Sequence, residues 1–188
     1  RHDSYFYYLT GFTEPNASLV ISADGKTTLF CAPKDLAREI WDGYRLGPEA
    51  AVAALGVSEA YSVAEQAARM PKMLENRSVV WYPFAIHQGL ESTVAQWLNG
   101  VRARTRYGAL VPEQQRDLCT VLDEMRLFKD AHEVLILRRA GDISARAHIL
   151  AMQRSARMVR AGQDVREYHL DAELLQAFRE YGSQCPAY

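Results

Sequence analysis

Residues 124–140 read EMRLFKDAHEVLILRRA, and this stretch decides how the chain is divided. A helix ends in it, a polar joint follows, and a second helix starts. Asp130 followed three residues later by Glu133 has the form of a capping box, with an acid in place of the usual Ser or Thr. The Asp130 carboxylate can accept an early helix N–H, and both charges suit the positive end of the helix dipole. Upstream, Leu122, Met125, Leu127 and Phe128 give the preceding helix an apolar end to bury. The stretch reads as the joint between an α/β domain, residues 1–126, and the first helices of a second unit, residues 127–188. An ordinary helix–turn–helix inside one domain has the same spacing.

Working outward, the N-terminal side mixes strand and helix signals. Residues 4–10, SYFYYLT, are aromatic-rich and bounded by Gly11, which predicts a strand with Tyr5, Phe6, Tyr7 and Tyr8 as sheet core and cross-strand pairs. Glu14-Pro15-Asn16 is a turn. Residues 17–22 and 27–32 flank Asp24-Gly25, a strong hairpin signal because both positions tolerate positive φ. Residues 34–41 form a short helix, with Leu36 and Ile40 one turn apart and turned inward, and Trp41 at its end. A second short helix covers 48–55. Residues 62–76 are helical with an interruption near Pro71, and 77–82 are a strand. Residues 85–102 keep Ile86, Leu90, Val94, Trp97, Leu98 and Val101 on one face of a helix. Pro112 starts another helix, running through Leu118, Val121, Leu122 and Met125.

Beyond the joint, Ile136, Ala140, Ile143, Ala147 and Leu150 recur at helical spacing up to about residue 161. Asp164 and Glu167 form a second capping pair. Leu170, Leu174, Phe178 and Tyr181 line a last helix. Strands alternating with helices, then helices alone, predict an α/β layer with a mixed sheet flanked by helices, followed by a helical unit.

Composition narrows the function. The 188 residues are 48% hydrophobic, ample for a packed core. A net charge of −1 argues against a nucleic-acid or anionic-membrane surface as the main business. No run approaches the ~18 apolar residues of a membrane span. The first residues carry no apolar segment after a basic start, so no secretory leader is expected. Cys31, Cys119 and Cys185 are far apart and form no CxxC pair, which fits free thiols in a reducing compartment.

The chemistry is sparse. His2, His87, His132, His148 and His169 form neither HxH nor HExxH, and none lies near a Cys pair. GxSxG, P-loop and GxGxxG patterns are absent. Asp123 and Glu124 are adjacent, so on a helix they diverge by about a quarter turn. From its residues alone, the chain carries no complete active site.

A family resemblance accounts for this. Arg126, Leu127, Lys129, Asp130, Glu133, Val134, Leu137, Arg138 and Ala140 resemble the entry to the catalytic domain in the aminopeptidase P, prolidase and creatinase family. RHDSYFYYLTGFTEP at residues 1–15 and FCAPKDLAREIWDGYRLG at 30–47 are similar to aminopeptidase P segments. The closing YGSQCPAY resembles the stretch before the family's first catalytic-domain strand. The likeness is strongest over residues 1–50 and from Glu124 onward, and the Trp41 segment favours aminopeptidase P over creatinase.

The resemblance implies an N-terminal domain of the creatinase/prolidase kind followed by the helical start of a pita-bread domain. The family's two divalent metals, usually manganese, activate a bridging water. Their ligands, two Asp, one His and two Glu, lie beyond the counterpart of Tyr188. This stretch alone is therefore expected to be inactive and to bind no manganese tightly. Three residues carry over toward substrate. Trp41 matches a tryptophan that reaches a neighbouring subunit's pocket, Arg106 an arginine near the substrate's far end, and Tyr188 a tyrosine beside the metals. Without the resemblance, Trp41 reads as a half-buried helix-end aromatic and Arg106 as part of a solvated basic loop with Arg102 and Arg104. The expected partners are proline-containing peptides and further copies of the chain, in the cytoplasm, with no nucleic acid or membrane. The rivals are a non-catalytic interaction module of the same fold and a prolidase.

Overall fold

The Asp24-Gly25 turn folds the chain back on itself as its sequence requires. Gly25 has φ of +83°, its N–H donates to Ser22 O, and the Lys26 N–H donates to Asp24 Oδ1. The flanking strands, β1 (Ser18–Ile21) and β2 (Thr27–Cys31), pair antiparallel with Ser18 opposite Phe30 and Ile21 opposite Thr27. The computed structural model describes residues 3–184.

On the far side of β2 lies a parallel strand, β3 (Glu59–Ser62). β2 is thus central and covered on both faces, which its unbroken run of buried Thr28, Leu29, Phe30 and Cys31 reflects. Its side chains alternate. Leu29 and Cys31 join Phe12 and Ala51 in one cluster, while Phe30 joins Met70, Leu74, Val94, Leu98 and Val101 in another. The crossover from β2 to β3 carries α2 (Leu36–Asp42) and α3 (Gly47–Leu55).

A second sheet pairs β4 (Val79–Tyr82) in parallel with β5 (Gln114–Asp117). α4 (Gln66–Leu74) precedes it, and α5 (Leu90–Arg102) connects its strands. α4 and α5 approach closely at Gly100, where a Cβ would lie 2.7 Å from Pro71 Cγ.

Several elements differ from the sequence reading. Residues 4–10 form a helix, α1 (Ser4–Thr10), not a strand. Asp3 caps it by accepting the Phe6 N–H at 2.8 Å, and Gly11 ends it at φ of +63° with its N–H on Tyr7 O. The two caps outweigh the β preference of the aromatics. Tyr5, Phe6, Tyr7 and Tyr8 are therefore not cross-strand pairs, although Phe6 packs edge-on against Phe12. Residues 114–117 are strand rather than helix because pairing with β4 overrides a weak local preference. The helix that follows, α6 (Cys119–Leu127), starts only after the Asp117 carboxylate accepts the Cys119 N–H. α5 begins at Leu90, leaving Ile86 in the preceding loop and 46% exposed.

The chain separates into two compact units, Arg1–Glu124 and Met125–Tyr188. The second holds α7 (Ala131–Arg160) and α8 (Glu167–Glu180). The capping box at the start of α7 is complete. Glu133 N–H donates to Asp130 Oδ1 at 2.8 Å, and Asp130 N–H donates to Glu133 Oε2 at 2.9 Å. Asp130→Ala is expected to destabilise the chain by about 0.5–2 kcal/mol in a thermal melt; an unchanged melt would contradict the capping role.

Ile143 and Ala147 meet Ala177 and Phe178, with Leu150 and Leu174 alongside. Arg154 binds Glu173 at 2.7 Å, while Arg146 lies over the Tyr181 ring, so the two helices run antiparallel. Ile136, expected on this buried face, is 55% exposed. The second capping pair also differs. The Arg166 N–H donates to His169 Nδ1, and the Asp164 carboxylate is taken by the Arg166 guanidinium.

Candidate functional site

The segment that carries Trp41 projects from the first unit. Asp35 caps α2 by accepting the N–H groups of Ala37 and Arg38. No residue of α2 is buried. Leu36 is 71% exposed, Ile40 80% and Trp41 88%, and Tyr44 just beyond the helix is also exposed. This corrects two expectations. Leu36 and Ile40 do not point inward, because no element among the described residues buries the helix, and Trp41 is not a half-buried helix-end aromatic.

The segment is held at its root instead. Gly47, at φ of +74°, passes so near Lys34 that a Cβ there would lie 3.1 Å from Lys34 Cβ. The Lys34 ammonium sits 4.5 Å from the centre of the Tyr44 ring. Arg45 N–H donates to Glu39 Oε1 at 3.1 Å, and Leu46 N–H donates to Glu14 Oε1 at 2.7 Å. Burial, followed by the Glu14 charge, pushes the nearby Cys31 thiol up from its ordinary pKa.

Arg106 lies in a one-turn 3-10 helix, Thr105–Tyr107, and is exposed. Its neighbours are committed elsewhere: Arg102 donates to Asn99, and Arg104 pairs with Glu75 at 3.2 Å. Among the described residues Arg106 forms no ion pair. The turn itself is fixed from α4. Asn76, at φ of +63°, donates its N–H to Leu110 O at 2.8 Å and accepts the Leu110 N–H on Oδ1 at 3.0 Å. Glu75 takes both Lys72 and Arg104, which hold its carboxyl below the ordinary carboxylate range, Lys72 contributing most. Lys72, Glu75, Asn76, Arg104, Tyr107 and Gly108 line a cleft of about 270 Å³ beside the turn.

Trp41 and Arg106 are not brought together. Leu46, at the root of the Trp41 segment, packs with Leu29 and Cys31. Val101 and Ala109, which flank the Arg106 turn, pack with Phe30. The two residues therefore hang from clusters on opposite faces of β2. Tyr188 lies outside the described residues.

Glu14, Glu75 and Asn76 were not singled out from sequence. A carboxylate in a Pro-containing turn and a Glu-Asn pair closing a helix were their only local signals. Asp123 and Glu124 form no cation site, for the Asp123 carboxylate already accepts the Tyr5 hydroxyl at 2.7 Å. Among the described residues, no three His, Cys, Asp or Glu side chains converge as a metal would need. A two-metal centre therefore does not fit residues 3–184.

The structure is thus a mixed α/β layer with flanking helices, followed along the chain by an antiparallel helix pair. Residues 1–81 match the family described as aminopeptidase P, N-terminal domain, and the chain is an aminopeptidase P N-terminal region. It is 36% identical to the Xaa-Pro aminopeptidase of Escherichia coli K12, an alignment covering 100% of the chain and 42% of that relative. The solved aminopeptidase PepP of Pseudomonas aeruginosa superposes with a TM-score of 0.89 at 37% identity, over 100% of the chain and 42% of that structure. A zinc-substituted E. coli aminopeptidase P in complex with product gives 0.89 at 35% identity, with the same coverage. The chain thus spans about two fifths of the length of these relatives.

Proposed function

We propose that the protein carrying this chain is a metal-dependent Xaa-Pro aminopeptidase, releasing the N-terminal residue of peptides with proline in second position. In this reading residues 1–126 form the N-terminal and oligomerisation domain, and residues from 127 onward begin the catalytic domain. The metals, manganese by preference, bind residues other than those described here. Trp41 and Arg106 supply parts of the substrate wall, as does Tyr188, and the enzyme works as a cytoplasmic homo-oligomer. One observation carries the reading: the whole chain follows solved aminopeptidase P structures at 35–37% identity.

α2 supports the oligomer. A seven-residue helix with Leu36, Ile40 and Trp41 all in solvent has an apolar face that a second copy would cover. The test uses the polypeptide in which residues 1–188 occur naturally. It should release the first residue from Xaa-Pro-Xaa peptides and leave Xaa-Ala-Xaa peptides intact. Chelation should abolish turnover and manganese should restore it. Cleavage of dipeptides alone would make it a prolidase. No cleavage at any metal concentration would make it a non-catalytic module.

A further inference from the structure

The segment between Lys34 and Gly47 is a closed-necked arm, and apolar packing does not orient its helix, since α2 buries no residue. Its direction must come from the neck. The Glu39 bond to Arg45 N–H lies within the arm and shapes it without aiming it. Glu14 is different. It belongs to the turn before β1, and its Oε1 accepts the Leu46 N–H across 32 positions of sequence. At 2.7 Å, this is the short contact expected when a charged acceptor takes a backbone donor.

The other carboxylate oxygen, Oε2, is buried and has no hydrogen-bond partner among the described residues. A buried, unpartnered carboxylate oxygen is costly. An apolar side chain would fill the same space without that cost, but it could not accept the Leu46 N–H. We infer that Glu14 is the positioning residue of the arm, fixing through the Leu46 N–H the direction in which Trp41 is held out. The inference rests on the reading of Trp41 as a side chain that faces substrate or a second copy.

Two measurements on Glu14→Ala and Glu14→Gln test it. The first is amide hydrogen exchange on the natural polypeptide. Glu14→Ala should speed exchange at Leu46 and through the last turn of α2 by about tenfold, the worth of one hydrogen bond to a charged group. The amides of β2 should stay protected. Glu14→Gln keeps a carbonyl oxygen for Leu46 and should restore slow exchange. Unchanged exchange in Glu14→Ala, or an equal acceleration in β2, would overturn the positioning role.

The second is kcat/KM of the natural polypeptide on Xaa-Pro peptides of increasing length. Glu14→Ala should lose about tenfold on longer peptides, Glu14→Gln should recover it, and Trp41→Ala combined with Glu14→Ala should be no worse than Trp41→Ala alone. Additive losses would show that Glu14 does not act through Trp41. If Trp41→Ala leaves kinetics unchanged, the Trp41 reading fails by itself, and the exchange measurement still decides whether Glu14 holds the arm.

Discussion

Phe30→Ala is expected to destabilise the chain by about 3–5 kcal/mol, measured as a shift of the urea midpoint at constant slope. Phe30 is fully buried in the central strand, on the face opposite Leu29 and Cys31. It shares one buried cluster with Met70 and Leu74 of α4 and Val94, Leu98 and Val101 of α5, and its ring centre lies 6.1 Å from that of Tyr61. Truncation therefore opens a cavity bounded by a strand and two helices, whose close approach at Gly100 and Pro71 leaves little freedom to collapse. A cost below about 1 kcal/mol would mean that this cluster does not hold the sheet and helices together.

What the sequence made legible follows from where the physical signal sits. The hairpin was readable because Asp24-Gly25 encodes its own turn. α7 was readable because Asp130 and Glu133 form a cap with no outside help. The strand β5 was not. Gln114, Gln115, Arg116 and Asp117 carry no apolar alternation, and only the partner strand β4 makes them extended. α1 was misread for the opposite reason. Its aromatics carry a β signal, yet Asp3 and Gly11 enclose one short helix between them. The two caps, not the aromatics between them, decide the conformation.

The candidate site divides in the same way. Trp41 and Arg106 were found through resemblance, not through their surroundings, and the structure shows both exposed. The residues that hold them were invisible. Glu14 reaches Leu46 and Asn76 reaches Leu110 only after folding. The inward turn expected of Leu36 and Ile40 failed because their four-residue spacing marks a shared helix face and says nothing of what covers that face.

Trp41→Ala should lower kcat/KM on longer Xaa-Pro peptides by the equivalent of about 1–3 kcal/mol, the size of an aromatic hot spot. It should leave the melting temperature nearly unchanged. The structure has already separated these two effects. At 88% exposure the indole contributes almost nothing to the core of its own chain, so the 3–5 kcal/mol loss of a buried aromatic is not expected. An exposed substitution should stay within about 0.5 kcal/mol. The indole can act only on something brought to it, and Leu36, Ile40 and Tyr44 beside it are too exposed to shield it. If a second copy brings the pocket, the kinetic loss should shrink as the natural polypeptide is diluted and its assembly dissociates, because wild type then loses the same contact. The measurement is kcat/KM of both proteins against peptide length and protein concentration, with melting curves in parallel. A loss equal for short and long peptides would place Trp41 outside the substrate wall. A loss independent of concentration would place the pocket within a single copy. A fall in melting temperature with unchanged kinetics would return Trp41 to a structural role.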